Sequence, residues 1–255
     1  MLKFDAYQLK WIAIIAMALN HMVIAWWEII PLGLAFPFYA IGGLTFPIMA
    51  FFIVEGYKYT RSFKRYILRI LIIGLIAAPF HFLTLGVAFG PSLNIMFTIA
   101  LSLLVLKLYD KIKIRALFWV LYVIIIVPLT LFFEWSFPGV TMVLLFYIIK
   151  NEKTRRIFPP ICAVLLNLVM SLAFLIPGLE MPEMEGLMAD PNFMLVSATF
   201  MLGMLFASVL LANFNGERGK NMKWLFYIFY PAHFAVLAIV AIILGFVDLS
   251  AVSLF

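Results

Sequence analysis

Apolar residues run through this chain in blocks of spanning length, and its polar residues gather in short gaps between them. A hydrocarbon core about 30 Å thick takes about 20 helical residues to cross. Lipid leaves only helices and closed barrels able to cross it, because no water is there to pair with free backbone groups. The blocks are continuous, as from Ile70 to Ile76, and lack the in/out alternation of a barrel strand. The pattern therefore predicts an all-α polytopic membrane protein, a bundle of about nine transmembrane helices. The expected spans are 9–27, 36–56, 66–85, 92–109, 114–133, 136–149, 159–176, 192–213 and 224–246. The sixth reaches only about 21 Å, so it meets a thinned bilayer or borders an aqueous vestibule. The first apolar run, Trp11 to Trp27, is too long for a cleavable leader and lacks a small-residue cleavage site.

Charge gives these spans a direction. All 18 Lys and Arg residues fall in clusters at Lys3 and Lys10, Lys58 to Arg69, Lys107 to Arg115, Lys150 to Arg156 and Arg218 to Lys223. The connectors between them carry no Lys or Arg, and hold Glu28, Glu134 and an acidic stretch from Pro177 to Pro191. Strict alternation of the two kinds of connector predicts the N-terminus inside and the C-terminus outside, in a multi-pass protein of the bacterial inner or plasma membrane. The acidic connector is expected to cap the outer face or meet a basic acceptor. The formal charge of +6 thus reflects orientation in lipid, and no nucleic-acid partner is expected.

Composition agrees: 66% of residues are hydrophobic and 12% charged, leaving no stretch for a separate soluble domain. Residues 1–255 read as one domain. The lone Cys162 excludes an intrachain disulfide.

The candidate chemistry lies in three histidines, each inside an apolar block. His21 is eleven residues past Lys10, His81 twelve past Arg69 and His233 ten past Lys223. All three would share a layer roughly 15–18 Å into the bilayer. Ionisable groups at such depth are costly and mark functional sites by default. His21 follows Asn20, and a neutral imidazole beside a hydrogen-bonding amide suits a general base; the same pair also suits helix packing. His81 and His233 each follow a proline by two positions, which frees the carbonyls of Leu75 and Tyr227 for bonding or opens a polar cavity. No two histidines share a helix at ligand spacing and no carboxylate within the spans is expected in their layer, so no metal is expected. Glu55 closes span two as a candidate carboxylate or an ion-pair partner. Arg61, Lys64, Arg65 and Arg69 recur at helical spacing, on a face suited to phosphate or to anchoring at the inner leaflet.

Several stretches resemble the TraX family: Asn20-His21, then Leu44 to Tyr57 with Glu55 near its end, then Arg65 to Arg69. Asn94 leading into Phe97-Thr98, Asn215 to Gly219 and Phe229 to His233 resemble it too. These run in order from about residue 9 to residue 240 and cover most of the chain. TraX proteins are similar to the wider transmembrane acyltransferases, acyltransferase family 3 and the heparan glucosaminide acetyltransferases. Lys10 and His21 have the spacing of the family-3 signature, and Phe51-Phe52 before Gly56 matches its second span. The Arg-x-x-Arg motif is not reproduced, since Arg65 and Arg69 are one residue further apart.

The resemblance implies an acetyl-CoA-dependent membrane acyltransferase. It would move the acetyl group from cytosolic acetyl-CoA to an amine or hydroxyl at the outer face, on a peptide, amine or glycan. For the family's named member that acceptor is the N-terminus of conjugative pilin. His21 would take the acceptor's proton, with Asn20 to position it or to donate to the oxyanion. Glu55 is a further catalytic candidate, too near the inner face to touch His21 unless its span is broken. Lys10, Tyr57, Arg61, Lys64, Arg65, Arg69 and Arg218 would hold the donor. His81, Asn94 and His233 would either serve the acceptor side or support the residues that touch the reactants. A proton-coupled transporter is the alternative that kinked spans and buried histidines allow.

Overall fold

The computed structural model describes residues 3–86, 92–173 and 190–245. Within them the chain is helical, and its only strand-like pairings are the isolated bridges Phe4–Phe214 and Leu93–Phe133. The helices are α1 (Ala6–Ala25), α2 (Leu32–Gly42), α3 (Thr45–Tyr59), α4 (Phe63–His81), α5 (Ile95–Lys111), α6 (Arg115–Leu121), α7 (Ser136–Ile148), α8 (Glu152–Ala173), α9 (Pro191–Ala212) and α10 (Lys223–Ile243). A π-helical turn, Phe82–Gly86, extends α4, and irregular helical turns carry α6 on to Phe132.

Seven of the described helical runs are long and apolar enough to cross a membrane, including α2 and α3 taken together as Leu32–Tyr59. The protein is a membrane protein on that ground. Of the nine expected crossings, the other two correspond to α5, with 17 residues, and α7, with 13. The acidic connector lies outside the described residues as far as residue 189, and so does Asp248.

The helices form a ring. Neighbours pack in the order α1, α2, α9, α8, α7, α5, α4, α10, and α10 returns to α1. Helix α3 runs up the middle against α1, α7, α9, α8 and α5. Its Phe46, Ile48, Ala50, Phe51 and Val54 are all buried, as a helix surrounded by others requires. In lipid such packing is stabilised mainly by close contact between helices, since burying apolar surface away from hydrocarbon gains little. The tightest approach joins α2 to α9: a Cβ added at Gly43 or Gly203 would lie within 3.0 Å of a backbone atom of the other helix.

Local sequence sets the helix ends. Asp5 and Gln8 form a capping box at the start of α1. Asn94 caps α5 by accepting from the Met96 N–H at 3.1 Å, while its amide donates to the Gly74 carbonyl on α4 at 2.9 Å. This cap explains why α5 starts at Ile95, three residues later than the expected span. It also gives Asn94 a structural role between α4 and α5. Asn94→Ala should cost about 1–2 kcal/mol through the lost cap and the unpaired buried carbonyl. Thermal melting of the purified variant measures that loss.

Candidate functional site

Helices α1 and α10 bring His21 and His233 together. Nδ1 of His21 lies 2.8 Å from Nε2 of His233, with both rings buried. Nδ1 of His233 lies 3.0 Å from the carbonyl oxygen of Phe229, one turn back on α10. The carbonyl used is therefore that of Phe229, where the proline pattern pointed to Tyr227. A carbonyl can only accept, so His233 carries its proton on Nδ1 and presents a bare Nε2. His21 Nδ1–H then donates, and Nε2 of His21 keeps its lone pair. This arrangement makes His21 a proton acceptor oriented by His233, as a second group orients the base in a hydrolase triad.

His81 joins through Phe234. The Phe234 ring lies 4.6 Å from His21 and 5.2 Å from His81. His81 is 2% exposed, and its Nε2 has no hydrogen-bond partner among the described residues. Nε2 does lie 3.4 Å from Oε2 of Glu134, outside hydrogen-bonding geometry. A carboxylate from the turn before α7, outside the expected spans, therefore lies beside His81.

Two cavities meet at a small chamber beside His21. The chamber, about 40 Å³, is lined by Asn20, His21, Thr45, Glu134 and Trp135, with Met17, Met49, Met96 and Ile99 at one end. Those last four residues also line a cavity of about 270 Å³ that holds Lys10, Arg218 and Lys220. Asn20, Glu134, Trp135 and Phe200 are shared with a third cavity, of about 430 Å³, that contains His81 and Ser197. The side-chain oxygen of Asn20 is buried there without a hydrogen-bond partner among the described residues.

The loop after α9 explains the basic cavity. Asn213 and Asn215 exchange backbone hydrogen bonds with Phe4, and Ala6 donates to the Glu217 carbonyl. Gly219 has φ +60°, and a Cβ there would meet the Asp5 carboxylate, so only glycine lets the loop lie this close. Pinned this way, Arg218 and Lys220 face Lys10 across the cavity.

The other expected donor residues lie elsewhere. Arg61 precedes α4, Lys64 and Arg65 sit in its first turn, and none of the three lines the basic cavity. Arg69 donates to the Arg65 carbonyl and stands 6.0 Å from the ring of Tyr227, which does line it. Tyr57 is bonded to Asp110 at 2.7 Å, as is Tyr147. Glu55 is an ion-pair partner, the role the sequence also allowed: the buried Arg155 holds it at 2.7 Å and also binds Glu152 at 2.8 Å, and Lys58 lies 3.4 Å from it. This ion-pair cluster ties α3 to α8, and the structure does not bring Glu55 to the histidines.

Sequence reasoning missed Glu134. Glu134 follows an apolar run and reads as a connector acid; its signal was a lone carboxylate between Phe133 and Trp135 with no basic residue near it.

A model of the family described as TraX protein matches residues 5–241. The probable fimbrial assembly protein FimC, serogroup H1, of Dichelobacter nodosus is 28% identical over 261 residues, covering 92% of this chain and 94% of the relative. No solved structure matches at a significant level. The relative's name overturns the functional expectation drawn from the sequence. It denotes fimbrial assembly, where transfer of acetyl from cytosolic acetyl-CoA to a general amine or hydroxyl at the outer face was expected, with transport as the alternative.

Proposed function

We propose that this chain, which belongs to the TraX family, works in fimbrial assembly as a membrane-embedded enzyme that acylates a fimbrial subunit. The observation that carries the proposal is the His21–His233 contact of 2.8 Å at the junction of two cavities. It supplies a buried, oriented base, and proton transfer by such a group contributes about 10²–10⁴-fold to a group-transfer rate. The fimbrial assembly relative, matched along nearly its whole length, supports a fimbrial subunit as the acceptor.

The basic cavity is the proposed donor side. Lys10, Arg218 and Lys220 converge on a space of about 270 Å³ and suit the phosphates of an acyl thioester such as acetyl-CoA. Asn20, whose side-chain oxygen has no partner among the described residues, positions the reacting group in the chamber. The proposed topology keeps the basic connectors on the cytoplasmic side of the cell membrane, with the N-terminus inside and the C-terminus outside. Kinship with acyltransferase family 3 belongs to the same proposal.

The test is mass spectrometry of fimbrial subunits from cells with and without this chain, followed by transfer from isotope-labelled acetyl-CoA in proteoliposomes. A subunit that carries an added acyl mass only when the chain is present is the expected result. Identical subunit masses from the two strains would overturn the proposal.

A further inference from the structure

The geometry points to Glu134, acting through His81, as the carboxylate that balances the charge formed on His21 during transfer. This inference rests on the acyl-transfer reading above. As the bond from the acceptor atom to the acyl carbon forms, that atom's proton moves to Nε2 of His21. As the carbon–sulfur bond breaks, its electron pair goes to sulfur, which then takes the proton from His21. Between these events the buried His21 is an imidazolium. A positive charge in so apolar a setting needs a counter-charge. Its hydrogen-bonded neighbour His233 can share the proton and supplies no negative charge.

Glu134 is placed to supply it. It lines the chamber together with His21 and reaches into the outer cavity together with His81. No Lys or Arg among the described residues is within ion-pair distance of it. The backbone has been shaped to hold it. Oε2 accepts from the Ile95 N–H at 2.8 Å, the Glu134 N–H donates to Leu93 at 2.8 Å, and Thr98 donates to the Glu134 carbonyl. The next two residues, Trp135 and Ser136, have φ of 68° and 41°. Left-handed backbone at two successive non-glycine residues is costly and gathers at functional sites. The orphaned Nε2 of His81, 3.4 Å from the carboxylate, is the remaining sign. Contacts of this length in a resting site often tighten when charge develops.

The groups facing His81 are Glu134 from the turn before α7 and, around Phe234, His21 on α1 and His233 on α10. Glu134 is therefore a positioning residue: it acts on the reacting atoms through His81 and through its field.

Glu134→Gln tests the charge alone, because glutamine keeps an oxygen for the Ile95 N–H. In proteoliposomes with isotope-labelled acetyl-CoA and purified fimbrial subunit, kcat should fall by about 10²-fold, within the range typical of proton-transfer catalysis, with KM for both substrates unchanged. Glu134→Asp should recover part of that loss. His81→Asn should lower kcat similarly, and the double variant should be no slower than the slower single one, as coupled residues behave. An unchanged kcat in Glu134→Gln, or additive losses in the double variant, would overturn the assignment. Histidine ¹⁵N spectra give a second measurement that needs no turnover: Glu134→Gln should shift the His81 ring nitrogens and leave those of His233 in place. Unmoved His81 signals sink the inference even if the wild type transfers acyl groups. Absence of transfer by the wild type, with shifted His81 signals, sinks the acyl-transfer reading and keeps the Glu134–His81 coupling.

Discussion

Replacing His21 by asparagine is expected to lower acylation of the fimbrial subunit by about 10²–10⁴-fold while the protein folds as before. The choice of asparagine follows from the hydrogen bonds. The imidazole does two separate jobs: Nδ1–H pairs with the bare Nε2 of His233, and Nε2 takes the proton. The side-chain amide of asparagine falls close to the position of Nδ1, so it keeps the first job and loses the second. His21→Ala removes both and leaves a buried nitrogen on His233 unpaired, at a cost of about 1–3 kcal/mol. The two variants should therefore be equally inactive, and only the alanine form should melt early. Transfer of labelled acetyl groups and thermal melting in detergent, run side by side, make the comparison. Full activity in His21→Asn would remove His21 from the chemistry.

The largest structural effect is expected at Gly203. A Cβ there would fall within 3.0 Å of the Ala40 carbonyl oxygen, and one at Gly43 would meet the Phe200 carbonyl as closely. Both obstacles are backbone, so neither can rotate aside, and α2 and α9 must separate. Overpacking of this kind typically costs about 1–3 kcal/mol or more, and close approach at small residues is the main source of helix association in lipid. Gly42 and Phe200 line the chamber, so the separation should also widen it. Gly203→Ala should melt well below the wild type and lose transfer activity. Gly33→Ala is the control, since a Cβ at Gly33 meets nothing within 4 Å. Equal melting temperatures for Gly203→Ala and the wild type would show that the two helices do not cross as described.

The difference between what was legible and what was not has a physical pattern. Apolar length alone locates the helices, because the bilayer imposes a minimum span, and Phe63–Leu85 and Ser136–Ile148 differ from expectation by three residues or fewer at each end. The break between α2 and α3 at Gly43 and Leu44 lies inside an unbroken apolar run, so hydropathy passes over it. The histidines stand out because lipid makes them expensive. Glu134 does not, since an acid at the end of an apolar run looks like any connector, and only the fold turns it inward. The same limit applies to the basic residues. Charge density drew attention to Arg61, Lys64 and Arg65, whereas access to the cavity is decided by a hydrogen-bonded loop that sets Arg218 and Lys220 beside Lys10.

The seam of Met17, Met49, Met96 and Ile99 between the basic cavity and the chamber has a bioenergetic consequence. On the proposed topology the two cavities open toward opposite faces of the bilayer, and a protein so built risks becoming a leak; each proton that slipped through would dissipate about 2.3 kcal/mol per 100 mV of membrane potential. Three thioether side chains and an isoleucine present nothing for a proton to hop along. Unbranched methionines can nonetheless repack around a slender chain pushed between them. The seam can insulate the membrane at rest and still let a narrow substrate arm pass, without a moving domain to open and close.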